Sequence, residues 1–427
     1  MSRRRVLILC YFYPPLAGGG VHRVLSWTRS LPDHGWDCTV VCAGPEDYWV
    51  RDESLVAQIR PDTEVVRVPG GSALSGWLRV SGGPGGRRSS GTFAGLRTLS
   101  DWWLFPDSYA GWSGRARRAA AARLARGGVD VLLSSSPPDS AHLAALPLAS
   151  RFGVPWVADF RDPWVGLHFR APVSGWHRRR HERAERAVLA GADRVLAASR
   201  THADAIRAMP DIDSSRVQHL PNGFAPEPAT EATTAAPASS FEMVWTGTLS
   251  QMPDAELLFD ALHEVLAAQP EARRRLRVRI AGPFDSGYQD RAVALGLTGI
   301  VEFMGPRSHA ESRRLQRSAD LLLLWKPRGY PTMVPGKLYE YLDTGRPLLG
   351  VLPAGEEAAD LLERGGGERV DPGNRTALAA AIARRYVAWK SQGRAPAARP
   401  SWLDQHARPE LARQLAVTLD ELAERPR

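Results

Sequence analysis

A chain of 427 residues is long enough for two domains of ordinary size, each able to bury its own core. A hydrophobic content of 44% with 24% charged residues is that of a soluble globular protein, and no apolar stretch reaches membrane-spanning length. The net charge of +9 leaves nucleic acid, a membrane surface or an acidic substrate as partners, but no helix-turn-helix, zinc-finger or RNP-type pattern supports the first.

Arg3-Arg4-Arg5 before Val6-Leu7-Ile8-Leu9 mimics a signal peptide. The apolar run is short and meets Pro14-Pro15 and Gly18-Gly19-Gly20 without a cleavage site, so it reads as a first buried strand over 5–10. A helix over 21–31 and a strand over 37–41 follow. Cys10, Cys38 and Cys42 sit in strand-like contexts without metal-ligand spacing, which predicts buried reduced thiols and a cytoplasmic protein. Further strands are expected at 65–68, 129–133, 156–158 and 194–198, with Ala/Arg-rich helices such as 113–126 between them. This βαβ rhythm implies an open parallel sheet covered on both faces. Residues 70–95, rich in Gly and Ser, read as a long mobile loop. Trp102, Trp103 and Trp112 follow it, either as core or as a wall on which an acceptor stacks.

Residues 226–240 lack periodicity and read as an interdomain linker. A second strand–helix series begins at 242–245 and continues through 255–266, 275–280, 300–303, 310–317, 321–325 and 347–351. Two doubly wound Rossmann-like domains are therefore expected, at 1–225 and 241–399, with ligands held in a cleft faced by the carboxyl ends of both sheets. The tail over 400–427 is long enough for a helix at 409–424 to cross back to the first domain.

The most informative stretch is Val334-Pro335-Gly336-Lys337-Leu338-Tyr339-Glu340-Tyr341-Leu342, closed by Gly345. Pro335 suits a first helical turn, Leu338, Tyr341 and Leu342 recur at helical spacing, and Gly345 suits the end. Free amides, the positive end of the helix dipole and the Lys337 ammonium would meet an anion, while Glu340 one turn on accepts a ribose diol. The competing reading is an amphipathic core helix with a solvated Lys and Glu. Lysine usage favours the first: Lys326, Lys337 and Lys390 are the only lysines in an Arg-rich chain, and two lie in this region.

Taken together, these motifs resemble the nucleotide-sugar glycosyltransferases of the two-domain GT-B architecture, specifically family 4, over nearly the whole length. Tyr13-Pro14-Pro15 with Gly18-Gly19-Gly20 and Arg23 resembles the family's first loop. Asp159-Phe160-Arg161-Asp162-Pro163-Trp164 resembles a motif of one bacterial branch. Ala192-Asp193-Arg194-Val195, Pro221-Asn222-Gly223-Phe224, Gly247-Thr248-Leu249, Ala281-Gly282 and Ala319-Asp320-Leu321 complete the order. The resemblance implies a donor site of Gly19, Gly20, Gly247, Thr248, Lys326, Thr332, Gly336, Lys337, Leu338 and Glu340. The departures are specific. The family's glutamate pair retains its second member as Glu340, but the first falls at Thr332. Thr248 stands where an Arg often follows the glycine, so Lys337, Lys326 and Arg161 are left to neutralise a diphosphate. The family's first-domain His has no clear counterpart. Asp159, Arg161 and Asp162 lie near its place and are the catalytic candidates, the carboxylates to orient or deprotonate the acceptor. Their competing role is an ion pair bracing a loop. His22, His142 and Trp103 are the acceptor-side candidates.

Three other patterns are decoys. Asp211-Ile212-Asp213 mimics a metal motif but reads as a solvated turn. His177 and His181 stand four apart but on a basic helix face. Gly82-Gly83-Pro84-Gly85-Gly86 lacks the Lys-Ser/Thr of a P-loop. The sequence thus predicts a metal-independent glycosyltransferase needing no cofactor, with retention as the resemblance implies. It would use a nucleoside-diphosphate sugar and a small-molecule acceptor of specialised metabolism, with no nucleic acid and no stable membrane insertion. Alternatives are an enzyme acting on cell-envelope or lipid-linked glycans at a membrane surface, an epimerase or hydrolase of the same architecture, and a catalytically degenerate binding subunit.

Overall fold

The computed structural model describes residues 3–16, 18–44, 51–70, 104–166, 174–226, 239–249, 252, 254–326 and 328–424. The chain divides into two units, Met1–Asn222 with Arg408–Arg427, and Gly223–Ala407. The expected loop at 70–95 and Trp102 and Trp103 fall almost wholly outside the described residues, as do most of the linker and the Gly82–Gly86 run.

The first unit is built on seven parallel strands: β1 (Arg4–Cys10), β2 (Trp36–Ala43), β3 (Glu64–Val68), β4 (Val131–Ser136), β5 (Trp156–Phe160), β6 (Arg194–Ala197) and β7 (Val217–His219). Their order is β3-β2-β1-β4-β5-β6-β7. Helices α1 (Gly19–Ser30), α2 (Ala110–Ala125), α3 (Ser140–Phe152), α4 (Gly175–Gly191) and α5 (Arg200–Arg207) connect or flank them. The central strands are covered on both faces: β1 reads as an unbroken apolar run over residues 6–9, and every residue of β4 is buried, its three serines included. Cys10, Cys38 and Cys42 are buried and free; burial pushes the Cys38 and Cys42 thiols up to about 12. Trp112 is buried core, in edge-to-face contact with Tyr11.

The second unit repeats the plan with β8 (Phe241–Thr246), β9 (Leu276–Ala281), β10 (Val301–Gly305), β11 (Leu321–Trp325), β12 (Leu348–Val351) and β13 (Glu368–Val370), ordered β10-β9-β8-β11-β12-β13. Its helices are α6 (Leu257–Ala268), α7 (Ser286–Ala294), α8 (His309–Ser318), α9 (Gly336–Thr344), α10 (Glu357–Arg364) and α11 (Arg375–Gln392). In both sheets the order reverses beside the first strand, between β1 and β4 and between β8 and β11. That switch point, at the carboxyl ends of the strands, is where such sheets hold ligands.

Helix α12 (Arg408–Ala423) belongs to the first unit. Leu411, Leu415, Leu419 and Leu422 recur along one face and are buried in that unit's core. Asp420 fixes the register, accepting from Arg4 at 2.7 Å and from the Trp36 indole at 3.0 Å. Leu415→Ala should therefore cost about 2–5 kcal/mol, measured by urea unfolding, with α12 losing its hold on the first unit.

Candidate functional site

The second unit's switch point is built around one hydroxyl. Strand β8 ends at Thr246 and turns at Gly247, whose φ of 137° favours glycine. A Cβ there would also meet the Lys337 side chain at 2.9 Å. Thr246 Oγ1 accepts from Gln316 Nε2 at 3.0 Å and from Lys337 Nζ at 3.4 Å, and pairs with the buried Tyr341 hydroxyl at 3.1 Å. That hydroxyl in turn accepts from the Thr246 amide at 2.9 Å.

Helix α9 presents the other groups. Pro335 is its N-cap, one position earlier than a first-turn proline, and Gly345 ends it in the left-handed conformation. Lys337 stands in the first turn, where burial lowers its pKa below the ordinary range and Glu340 partly opposes that. A second negative charge is what such a desolvated ammonium lacks. Glu340 has 15% of its side chain exposed; Gln316 Nε2 lies 3.3 Å from one carboxylate oxygen and His309 Nε2 3.5 Å from the other.

Two sequence-derived donor contacts are corrected. Lys326 is buried against Glu356, an ion pair that already neutralises it, so it is not a spare cation for a diphosphate. Leu338 puts its side chain in the core and donates its amide to Pro335 at 2.9 Å, leaving neither for a ligand. Thr248 and Thr332 are half-buried loop residues in the same unit.

At the first unit's switch point, Gly19 and Gly20 open α1, and the Arg161 guanidinium lies so close over Gly20 that a Cβ would overlap it. The guanidinium thus stands beside the N-terminus of α1, a pairing whose charge and dipole would suit an anion. Asp162, 3.7 Å from Arg161, keeps 38% of its side chain exposed. His22 is half-buried in the first turn of α1. Trp103 lies outside the described residues.

Asp159 is different. It ends β5 fully buried, with Oδ1 accepting from Arg23 Nη2 at 2.7 Å and Oδ2 from Arg23 Nε at 3.1 Å and Ser135 at 2.7 Å. Arg23 Nη2 also reaches the Leu220 carbonyl at 2.8 Å, and Nη1 reaches the Pro221 carbonyl at 2.7 Å and Asn222 Oδ1 at 3.4 Å. All five guanidinium N–H groups are engaged. The acceptor-activating role assigned to Asp159 is therefore corrected to bracing: the pair ties α1, β4, β5 and the segment after β7 together.

His142 is corrected likewise. It is fully buried, bonded to Ser134 at 2.8 Å and packed on Phe160, and burial pushes its pKa down to about 3. It is a neutral core histidine. His177 sits against Ser174 and His181 accepts from Trp164, so they do not converge on one metal. Asp213 caps the turn at Ser215. Among the described residues no group of three or more His, Cys, Asp or Glu is placed to hold a metal ion, and no helix is long and apolar enough to cross a membrane.

Residues 18–223 match the model of the glycosyl transferase 4-like domain, and residues 240–386 that of glycosyl transferases group 1. The chain carries two domains of glycosyltransferase families. Its two Rossmann-like units are those of the GT-B fold. It is similar to HepE of Anabaena, crystallised with UDP, at a TM-score of 0.63 and 15% identity, over 98% of this chain and 100% of that one. A putative UDP-N-acetylglucosamine 2-epimerase of Listeria monocytogenes also matches, at 0.59 and 13%, over 100% and 98%, so the fold alone does not set the reaction. A D-inositol 3-phosphate glycosyltransferase of Saccharomonospora viridis is 27% identical over 152 residues, 32% of this chain and 35% of that protein. The match thus spans about a third of this curated relative's length.

Four residues of this candidate site escaped sequence reasoning: Thr246, His309, Gln316 and Tyr341. Thr246 adjoins the flagged Gly247, but Gln316 lies in a helix whose pattern is that of any polar surface helix, and Tyr341 reads as core.

Removing one member of the Arg23–Asp159 pair should strand a buried charge. Asp159→Ala is expected to cost about 3–5 kcal/mol by urea unfolding, and Arg23→Met with Asp159→Leu together much less than the two single changes summed. An Asp159→Ala protein of unchanged stability and abolished turnover would return Asp159 to catalysis.

Proposed function

We propose that the glycosyltransferase moves a sugar from a nucleoside-diphosphate donor to a small-molecule acceptor, with retention and without a metal. The observation that carries this reading is the start of α9: a partly desolvated Lys337 beside free helix amides, with a partly exposed carboxylate, Glu340, one turn on. Diphosphate and ribose diol are the ligand pair that such neighbours fit. HepE, which shares the fold, was crystallised with UDP, in keeping with a nucleotide donor.

In the transfer, the bond from the anomeric carbon to the diphosphate oxygen breaks and its electron pair leaves with the diphosphate. Lys337 and the α9 amides stabilise that charge, the task a metal performs elsewhere. The acceptor forms the new bond and gives its proton to Asp162, the exposed carboxylate at the first unit's switch point. Arg161 over the α1 N-terminus suits an anionic substituent, and the Saccharomonospora relative is named for D-inositol 3-phosphate, itself an anion. Three buried thiols accord with a cytoplasmic setting.

Lys337→Ala and Glu340→Ala should each weaken donor binding about ten- to hundredfold in calorimetry with a nucleoside-diphosphate sugar. Asp162→Asn should lower kcat about 10²–10⁴-fold with donor Kd nearly unchanged, and wild-type turnover should persist in EDTA. Equal donor affinity in wild type and Lys337→Ala would sink the diphosphate assignment.

A second reading, action at a membrane surface, is favoured by α4. The run 177–186 has no bulky apolar face, but Trp176 beside it is 63% exposed and adjoins exposed Arg178, Arg179 and Arg180. Co-sedimentation with anionic vesicles at physiological salt, lost in Trp176→Ala, would select this reading; no co-sedimentation selects the soluble acceptor.

A further inference from the structure

We infer that Gln316 is a positioning residue for the donor nucleotide, fixing the carboxylate of Glu340 and the ammonium of Lys337 through one carboxamide. The inference rests on the nucleotide reading of the α9 site and extends it to a residue of α8.

Gln316 is fully buried. Its orientation is dictated by donor and acceptor chemistry. Arg313 Nη1 donates to Gln316 Oε1 at 2.9 Å, and a guanidinium can only donate, so the oxygen faces Arg313 and the NH₂ faces the opposite way. There the two amide hydrogens meet two acceptors, Thr246 Oγ1 at 3.0 Å and Glu340 Oε2 at 3.3 Å. Thr246 Oγ1 spends its other lone pair on Lys337 Nζ at 3.4 Å. Its hydrogen is then left for the Tyr341 hydroxyl at 3.1 Å.

The chain Arg313–Gln316–Thr246 thus has one consistent direction of donation, and both ligand-facing charges hang from it. Arg313 is itself locked, donating to the Glu340 carbonyl at 2.7 Å and pairing with Asp343. Gln316 therefore sets the rotamer of a glutamate that it shares with the ligand. With Gln316 on one oxygen and His309 Nε2 3.5 Å from the other, the carboxylate presents its remaining acceptor capacity to a diol in a fixed direction, and such preorganisation shows as discrimination rather than as bulk affinity. A glutamate at this position would turn an oxygen toward Glu340, and an apolar residue would release it.

The test compares uridine and guanosine diphosphates with their 2′,3′-dideoxy counterparts by calorimetry, using the full-length protein. Wild type should prefer the ribonucleotide of at least one base by about tenfold or more, since the dideoxy analogue leaves Glu340 without its diol. In Gln316→Met, of similar length and without the amide, that preference should shrink to about two- to threefold, with Tm checked alongside. Gln316→Glu, in which Arg313 still finds an oxygen to pair with, should lose the preference as well and serves should the Met variant not fold. If both nucleotides weaken together and the ratio survives in a folded variant, Gln316 is only structural and the inference is overturned. If wild type itself shows no preference for any ribonucleotide, the nucleotide reading of Glu340 fails, and this proposal with it.

Discussion

Parallel strands impose one constraint on both units: every strand ends, and the helix after it begins, on the same edge of the sheet. That edge gathers carbonyl ends, unsatisfied helix amides and the polar side chains needed to satisfy them. The two units meet the constraint with different chemistry. In the first, a fully desolvated ion pair closes on itself, Arg23 with Asp159, and its spare donors hold the carbonyls of Leu220 and Pro221. In the second, neutral groups do the joining. Thr246, Gln316 and Tyr341 satisfy one another and leave the charges of Lys337 and Glu340 at the rim.

The difference decides which charges are available for chemistry. A buried carboxylate whose oxygens accept from Arg and Ser gains nothing by meeting a substrate, and loosening it would expose an unpaired guanidinium. Asp159 and Arg23 therefore set geometry. Lys337 is the opposite case, since it donates to a neutral hydroxyl and has lost part of its hydration. An anion that reaches it replaces water it no longer has. Lys326, 11 positions before Lys337 in the chain, is taken out of play by Glu356 in the same unit. Two lysines in one motif region thus have unlike roles, and only their partners distinguish them.

Much of the fold was legible because burial on both faces of a parallel sheet writes itself as continuous apolar runs. The runs at Val6–Leu9 and Leu321–Leu324 fall inside β1 and β11, and Leu338, Tyr341 and Leu342 at helical spacing located α9. Gly247 and Gly345 were legible for a related reason. A positive φ, or a neighbour within Cβ distance, leaves little choice of residue. Boundaries differ by up to three residues, as at the helix expected over 113–126, which starts at Ala110, and the strand expected over 129–133, which runs to Ser136.

What the sequence determined by itself was the chemistry offered along the chain: two αβ series, two glycine-opened helices, and a Lys and a Glu one turn apart. Local periodicity and spacing suffice for that, because each depends on residues close in sequence. Tertiary structure alone decided which polar side chains were spent on one another. Arg23 meets Asp159 across 136 positions, Gln316 meets Thr246 across 70, and Lys326 meets Glu356 across 30. A hydrogen bond forms between atoms about three ångströms apart, and strand order, which no local pattern encodes, brings those atoms together.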